Sequence, residues 1–123
     1  RAIFGANMPA SFPVIARFES GKATMIKSMD LTANTYRSVK AVEDKVNEYI
    51  DKLKEFKGQE EPWGSKKIVI READILSKEL LLVIPKNPVA PEIRDALERC
   101  KARAMAYGIY LGIEEYGYKK LEQ

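Results

Sequence analysis

Histidine is absent from the 123-residue chain, which removes imidazole acid–base catalysis, Ser-His-Asp and Cys-His nucleophiles, and the usual zinc ligand. A single cysteine, Cys100, leaves no internal disulfide and no multi-cysteine metal site. Long apolar runs are missing too. The densest, "LLLVIP" at 80–85, is far too short to cross a bilayer, so no stable membrane insertion is expected and the run reads as a buried strand. Neither standard spacing of a Gly-rich phosphate loop occurs, and there are no internal repeats. The chain opens at Arg1 with neither an initiator methionine nor a visible signal peptide, and so reads as a fragment of a longer polypeptide. Any chemistry must rest on carboxylates, lysine, hydroxyls and a hard metal.

What is present describes one globular domain. Apolar residues make up 46% and charged residues 32% of the chain, which is too apolar for disorder and enough for one core at this length. Net charge is +3, a mildly basic balance that is compatible with a polyanionic partner without requiring one. Residues 1–11 have loop-like composition and are set apart from a domain over 12–123.

Along that domain, "VIARFE" and "KATMIKS" are strand candidates joined at Ser20-Gly21, a pair suited to a hairpin turn. Ser38 is placed to cap a helix over 39–56, where Val39, Val42, Val46, Tyr49, Ile50, Leu53 and Phe56 recur at spacings of three and four. "QEEPWGS" reads as a connector with Trp63 anchored on the core. "KKIVIRE" and "KELLLVIP" read as strands, the second with the continuous apolar character of a central one. A second helix over 91–107 follows, with Ile93, Leu97, Cys100, Ala104 and Tyr107 on its buried side, and after Gly108 comes a last strand, "IYLGIEE". The expected fold is α/β or α+β, a mixed central sheet flanked by helices.

Within "TMIKSMD", the two-residue period puts Thr24, Ile26 and Ser28 on one face and Met25, Lys27 and Met29 on the other. An ammonium between two methionines has two readings. It guards an edge strand against aggregation, or it works with nearby acids, for which Glu19 across the turn and Asp30 beyond the strand end are the candidates. Carboxylates from adjacent strands can hold a divalent cation that lowers the pKa of bound water and stabilises a pentavalent phosphate, while a lysine neutralises developing charge. Arg17, Lys22, Lys66, Lys67, Arg71 and Lys78 could supply phosphate contacts, although each taken singly reads first as a solvated charge.

The run "G-x-A-T-x-I-K-S-x-D-L-x-A-x-T-Y", Gly21 to Tyr36, resembles the signature of C-terminal toxin domains on filamentous-haemagglutinin-like exoproteins of contact-dependent growth inhibition systems. The layout after it also resembles that family's: a helix, Trp63-Gly64, an apolar strand ending in Ile-Pro, a helix and a final strand. The resemblance implies a PD-(D/E)XK nuclease-like fold and cleavage of DNA or tRNA with magnesium, manganese or zinc. It further implies a secreted or cell-surface parent exoprotein, action in the cytoplasm of a target bacterium, and neutralisation by a cognate immunity protein. It places Lys27 at the family's active-site lysine, with Thr24, Ser28 and Asp30 at matching motif positions.

Two departures stand out. Where the family carries a metal-ligand aspartate in an "I-D" step, this chain has Ile15-Ala16, and where a serine precedes the lysine by two residues it has Met25. Two explanations are open: Ala16 inactivates a lethal nuclease, or the ligand role has moved to Glu19. The competing class is a non-catalytic α/β module that binds nucleic acid or protein.

Overall fold

The structure is a computed structural model and describes residues 4–33, 36, 38–86 and 88–116. Strands β1 (Arg17–Glu19) and β2 (Lys22–Ser28) form an antiparallel hairpin, closed by Ser20 and Gly21 at φ of 52° and 80°. Positive φ at both turn residues matches the right-handed twist of the strands it joins. Gly21 has a second reason to lack a side chain, since a Cβ there would stand 2.8 Å from the Leu76 side chain.

Helix α1 (Val39–Glu55) starts where the sequence predicts, with the Ala41 N–H donating to Ser38 Oγ at 3.0 Å. Its apolar stripe is buried at Val42, Val46, Tyr49, Ile50 and Leu53. Strands β3 (Gln59–Trp63) and β4 (Ile68–Ile70) follow and pair only with each other; after a short 3-10 turn come β5 (Ser77–Ile84), helix α2 (Pro91–Ala106) and β6 (Ile109–Glu115). The main sheet has the order β1-β2-β5-β6, with β5 parallel to both of its neighbours. The sheet is therefore mixed, and β5-α2-β6 is the expected βαβ unit.

Three expectations need correcting. The first strand begins at Arg17 because Val14 lies at φ 63°, a left-handed conformation in which a β-branched residue cannot continue a strand. "QEEPW" is a strand, its register irregular between Gln59 and Trp63. Finally, Tyr107, expected on the buried side of the second helix, is exposed at its C-terminal end.

Both helices cover the same face of the sheet. Leu80, Leu82 and Ile84 of β5 share one core with α1 and with Ile93, Leu97, Cys100 and Ala104 of α2. Burial pushes the Cys100 thiol up to about 11, so it stays protonated and serves as a small apolar core residue. Trp63 packs edge-on against Phe12, with ring centroids 5.3 Å apart, and so pins the β3–β4 pair to the core. Among the described residues no helix is long and apolar enough to cross a membrane.

Candidate functional site on strand β2

Strand alternation divides the residues singled out in the sequence between two faces of the sheet. On the helix-covered face stand Met25, Lys27 and, just past the strand end, Met29; on the other stand Lys22, Thr24, Ile26 and Ser28. The Ala16 N–H donates to the Thr24 carbonyl at 2.8 Å, although Thr24 is already the partner of Arg17, so the pairing is irregular at Ala16. Ala16 is buried next to this hairpin, and it is its neighbour Ile15 that joins the core shared with the helices.

Of Ala16, Met25 and Lys27, the first two are apolar and deeply buried. Ala16 is 4% exposed and Met25 1% exposed. Lys27 is half-buried, its ammonium 5.5 Å from the centre of the Tyr49 ring. Among the described residues it makes no ion pair.

The other face holds a polar network that the sequence did not announce. Glu79 on β5 lies opposite Thr24 and is 9% exposed. Its Oε1 accepts from the Thr24 hydroxyl at 3.1 Å and from Arg17 Nη2 at 3.2 Å, and the Lys22 ammonium stands 3.4 Å away. Arg17 also donates through Nη1 to the Phe4 carbonyl at 2.8 Å, tying the N-terminal segment to the sheet. A buried carboxylate is tolerable only when paired and hydrogen-bonded, and this one is. One signal could have found it: an acid inside the apolar run "KELLLVIP" needs a buried partner.

The remaining candidates scatter. Glu19 ends β1 opposite Lys22, at the start of β2, whereas Asp30 lies beyond its far end. The strand between them separates the two carboxylates by roughly 25 Å, so they cannot share a cation. Asp30 accepts from the Thr32 N–H at 3.0 Å and from the Thr32 hydroxyl, a local turn that uses its Oδ1. Ser28 and Asp30 line a cavity of about 180 Å3 with Pro85 and Tyr116 at the C-terminal ends of β2 and β5.

Of the proposed phosphate contacts, Arg17 and Lys22 are engaged with Glu79. The Lys78 ammonium donates to the Lys54 and Phe56 carbonyls at 3.0 and 2.8 Å, closing the C-terminal end of α1. Burial lowers the Lys78 pKa despite those acceptors. Lys66 and Lys67 lie exposed between β3 and β4.

A divalent cation does not fit these positions. Among the described residues no group of three or more acids, histidines or cysteines is placed to hold a metal ion, and the methyl of Ala16 and the thioether of Met25 offer a hard cation nothing.

The family model of the CDI toxin restriction endonuclease-like domain matches residues 1–114. The chain belongs to that family. Among solved structures it is similar to a chain of the "CdiA-CT/CdiI toxin and immunity complex from Yersinia pseudotuberculosis", with a TM-score of 0.74 and 18% identity over 92% of this chain and 90% of that one. A comparison with curated proteins found no match. The shared fold is thus a CDI toxin restriction endonuclease-like α+β fold with a mixed sheet and two helices. Thr35 of the motif lies outside the described residues.

Proposed function

We propose that this chain is the nuclease toxin domain of a contact-dependent growth inhibition exoprotein, with its cutting chemistry silenced at Ala16 and Met25. The observation that carries this reading is the burial of Ala16 and Met25, which leaves two apolar side chains unable to bind a cation where the resemblance implies polar ones. Membership of the toxin family supports delivery into the cytoplasm of a neighbouring bacterium. The likeness to a chain of a toxin and immunity complex supports a cognate immunity protein as partner. For a chain of net charge +3 that partner should be acidic and its binding weakened by salt.

Restoring the family's residues tests the reading directly. In Ala16→Asp/Met25→Ser, a carboxylate would replace a methyl that is 4% exposed, a placement that is costly without a cation beside it. Magnesium, manganese or zinc should therefore raise the melting temperature of the double variant and leave that of the parent unchanged. The variant, and not the parent, should then cut plasmid DNA or tRNA. If it gains neither metal-dependent stability nor cleavage, the non-catalytic binding module is the better description.

A further inference from the structure

Alternation puts Ile26, Leu81 and Val83 on the sheet face that neither helix covers, yet Leu81 and Val83 are each only 8% exposed. The segment that reaches this face is the one ahead of β1. The Phe4 carbonyl accepts from Arg17 Nη1, whose guanidinium also holds Glu79 on that face, and the Phe4 ring stands edge-on to Tyr116 with centroids 5.7 Å apart. Gly5 lets the backbone come this near: its φ is 84°, and a Cβ there would stand 2.5 Å from Arg17 Nη1. Asn7 then closes the outer edge of β1. Its side-chain amide donates to the Phe18 carbonyl at 3.0 Å and accepts from the Phe18 N–H at 2.9 Å, standing in for a neighbouring strand.

What holds this segment is shallow. Phe4 to Met8 are all exposed or half-buried, and of them Met8 packs against the core. The Asn7 and Met8 N–H groups share one acceptor, the Ala16 carbonyl, at 2.9 and 3.0 Å. A cavity of about 530 Å3 lies between Ala6, Met8 and Pro9 on one side and Trp63, Gly64 and Ile68 on the other, so the segment is not packed against the β3–β4 pair. A stretch with few buried apolar contacts and exposed hydrogen bonds belongs to the low end of local stability.

We propose that Phe4 to Asn7 form a strap that opens as a unit about Met8 while the rest of the domain stays folded. Closed, the strap shields the apolar face of Ile26, Leu81 and Val83 and caps the β1 edge; open, it uncovers both. The helix-free face is thus a switchable surface, latched by Arg17 and Asn7. The proposal is independent of cutting chemistry, because it needs neither a metal nor Lys27.

Native-state hydrogen exchange, read residue by residue, tests this with variants that act at different points of the strap. In the parent, the Phe18 amide should already exchange at least about tenfold faster than that of Leu82 in β5. Asn7→Ala removes both bonds to Phe18 and should speed exchange of its amide roughly tenfold. Gly5→Ala leaves Asn7 in place but strains the backbone in the left-handed region, and it should speed the same amide by roughly tenfold, because the strap moves as one piece. In both variants the Leu80 and Leu82 amides should keep the parent's rates, and an anilinonaphthalene sulfonate dye should bind more than it binds the parent.

Unchanged Phe18 exchange in Gly5→Ala overturns the proposal, since the two ends of the segment would then move independently. So does equal acceleration at Leu80 and Leu82, which marks unfolding of the whole domain rather than release of a strap. Dye binding no greater than the parent's in both variants overturns it too, because the apolar face would then stay covered.

Discussion

The two faces of strand β2 treat charge in opposite ways. On the face away from the helices, Thr24, Arg17 and Lys22 converge on one oxygen of Glu79, and the buried carboxylate is satisfied from three directions. On the helix-covered face, Lys27 stands among Met25, Met29 and Leu82 with only aromatic company. An acid, a lysine and a hydroxyl gathered on one sheet would suggest a catalytic site. Here the acid stands on the face opposite to Lys27, where its partners engage it, and Lys27 has no ion-pair partner among the described residues. Proximity in the fold therefore does not identify chemistry unless side-chain direction agrees.

The largest expected effect breaks the satisfied face. Glu79→Ala would leave the Arg17 guanidinium, 20% exposed, without its carboxylate and the Thr24 hydroxyl without an acceptor. The expected loss in urea unfolding is about 3 kcal/mol. Faster hydrogen exchange should follow in the segment that Arg17 ties down through Phe4. Glu79→Gln keeps an acceptor for Thr24 and should recover part of the loss. A cost below about 1 kcal/mol for the alanine variant would show that Glu79 is an ordinary surface charge.

The same contrast explains what was legible in the sequence. The helices were, because their stripes repeat at helical spacing and Ser38 and Pro91 mark their starts. Strand β3 was not: "QEEPW" has acids and a proline, pairs only with β4, and buries too little to show a period. The face of Lys27 followed from alternation alone. The pairing of Glu79 with Arg17 spans 62 positions and depends on the order β1-β2-β5, which no local pattern encodes. The separation of Glu19 from Asp30 was readable in principle, since the whole of β2 lies between them. Glu19 is close in space to the start of β2 across the turn, while Asp30 is carried away from it by the full length of the strand.

An intermediate effect compares two lysines on the helix-covered face. Lys78 differs from Lys27 in having work for its ammonium, two carbonyls at the end of α1 that would otherwise lack donors. Lys78→Met removes both bonds and the cation at the helix's negative end. It should cost about 1.5 kcal/mol, read as a lower urea midpoint at unchanged slope. The lowered Lys78 pKa gives a second reading in pH. Its folded value lies below its unfolded one, so between the two the unfolded chain binds more protons and the parent gains stability as pH rises. Lys78→Met should lack that gain.

The smallest effect is expected where the functional argument is strongest. Lys27→Met would set a side chain of similar length beside Met25 and Met29 and opposite Leu82, losing one cation–aromatic contact with Tyr49. That contact is worth about 0.5–1 kcal/mol. Better packing of an apolar chain against Leu82 should offset it, leaving stability within about 0.5 kcal/mol of the parent. A stable chain that loses affinity for DNA or tRNA would mean that Lys27 is kept for its ligand. A loss above about 1.5 kcal/mol would instead make Lys27 a structural lysine like Lys78, and the contrast between the two faces would reduce to two ways of burying charge.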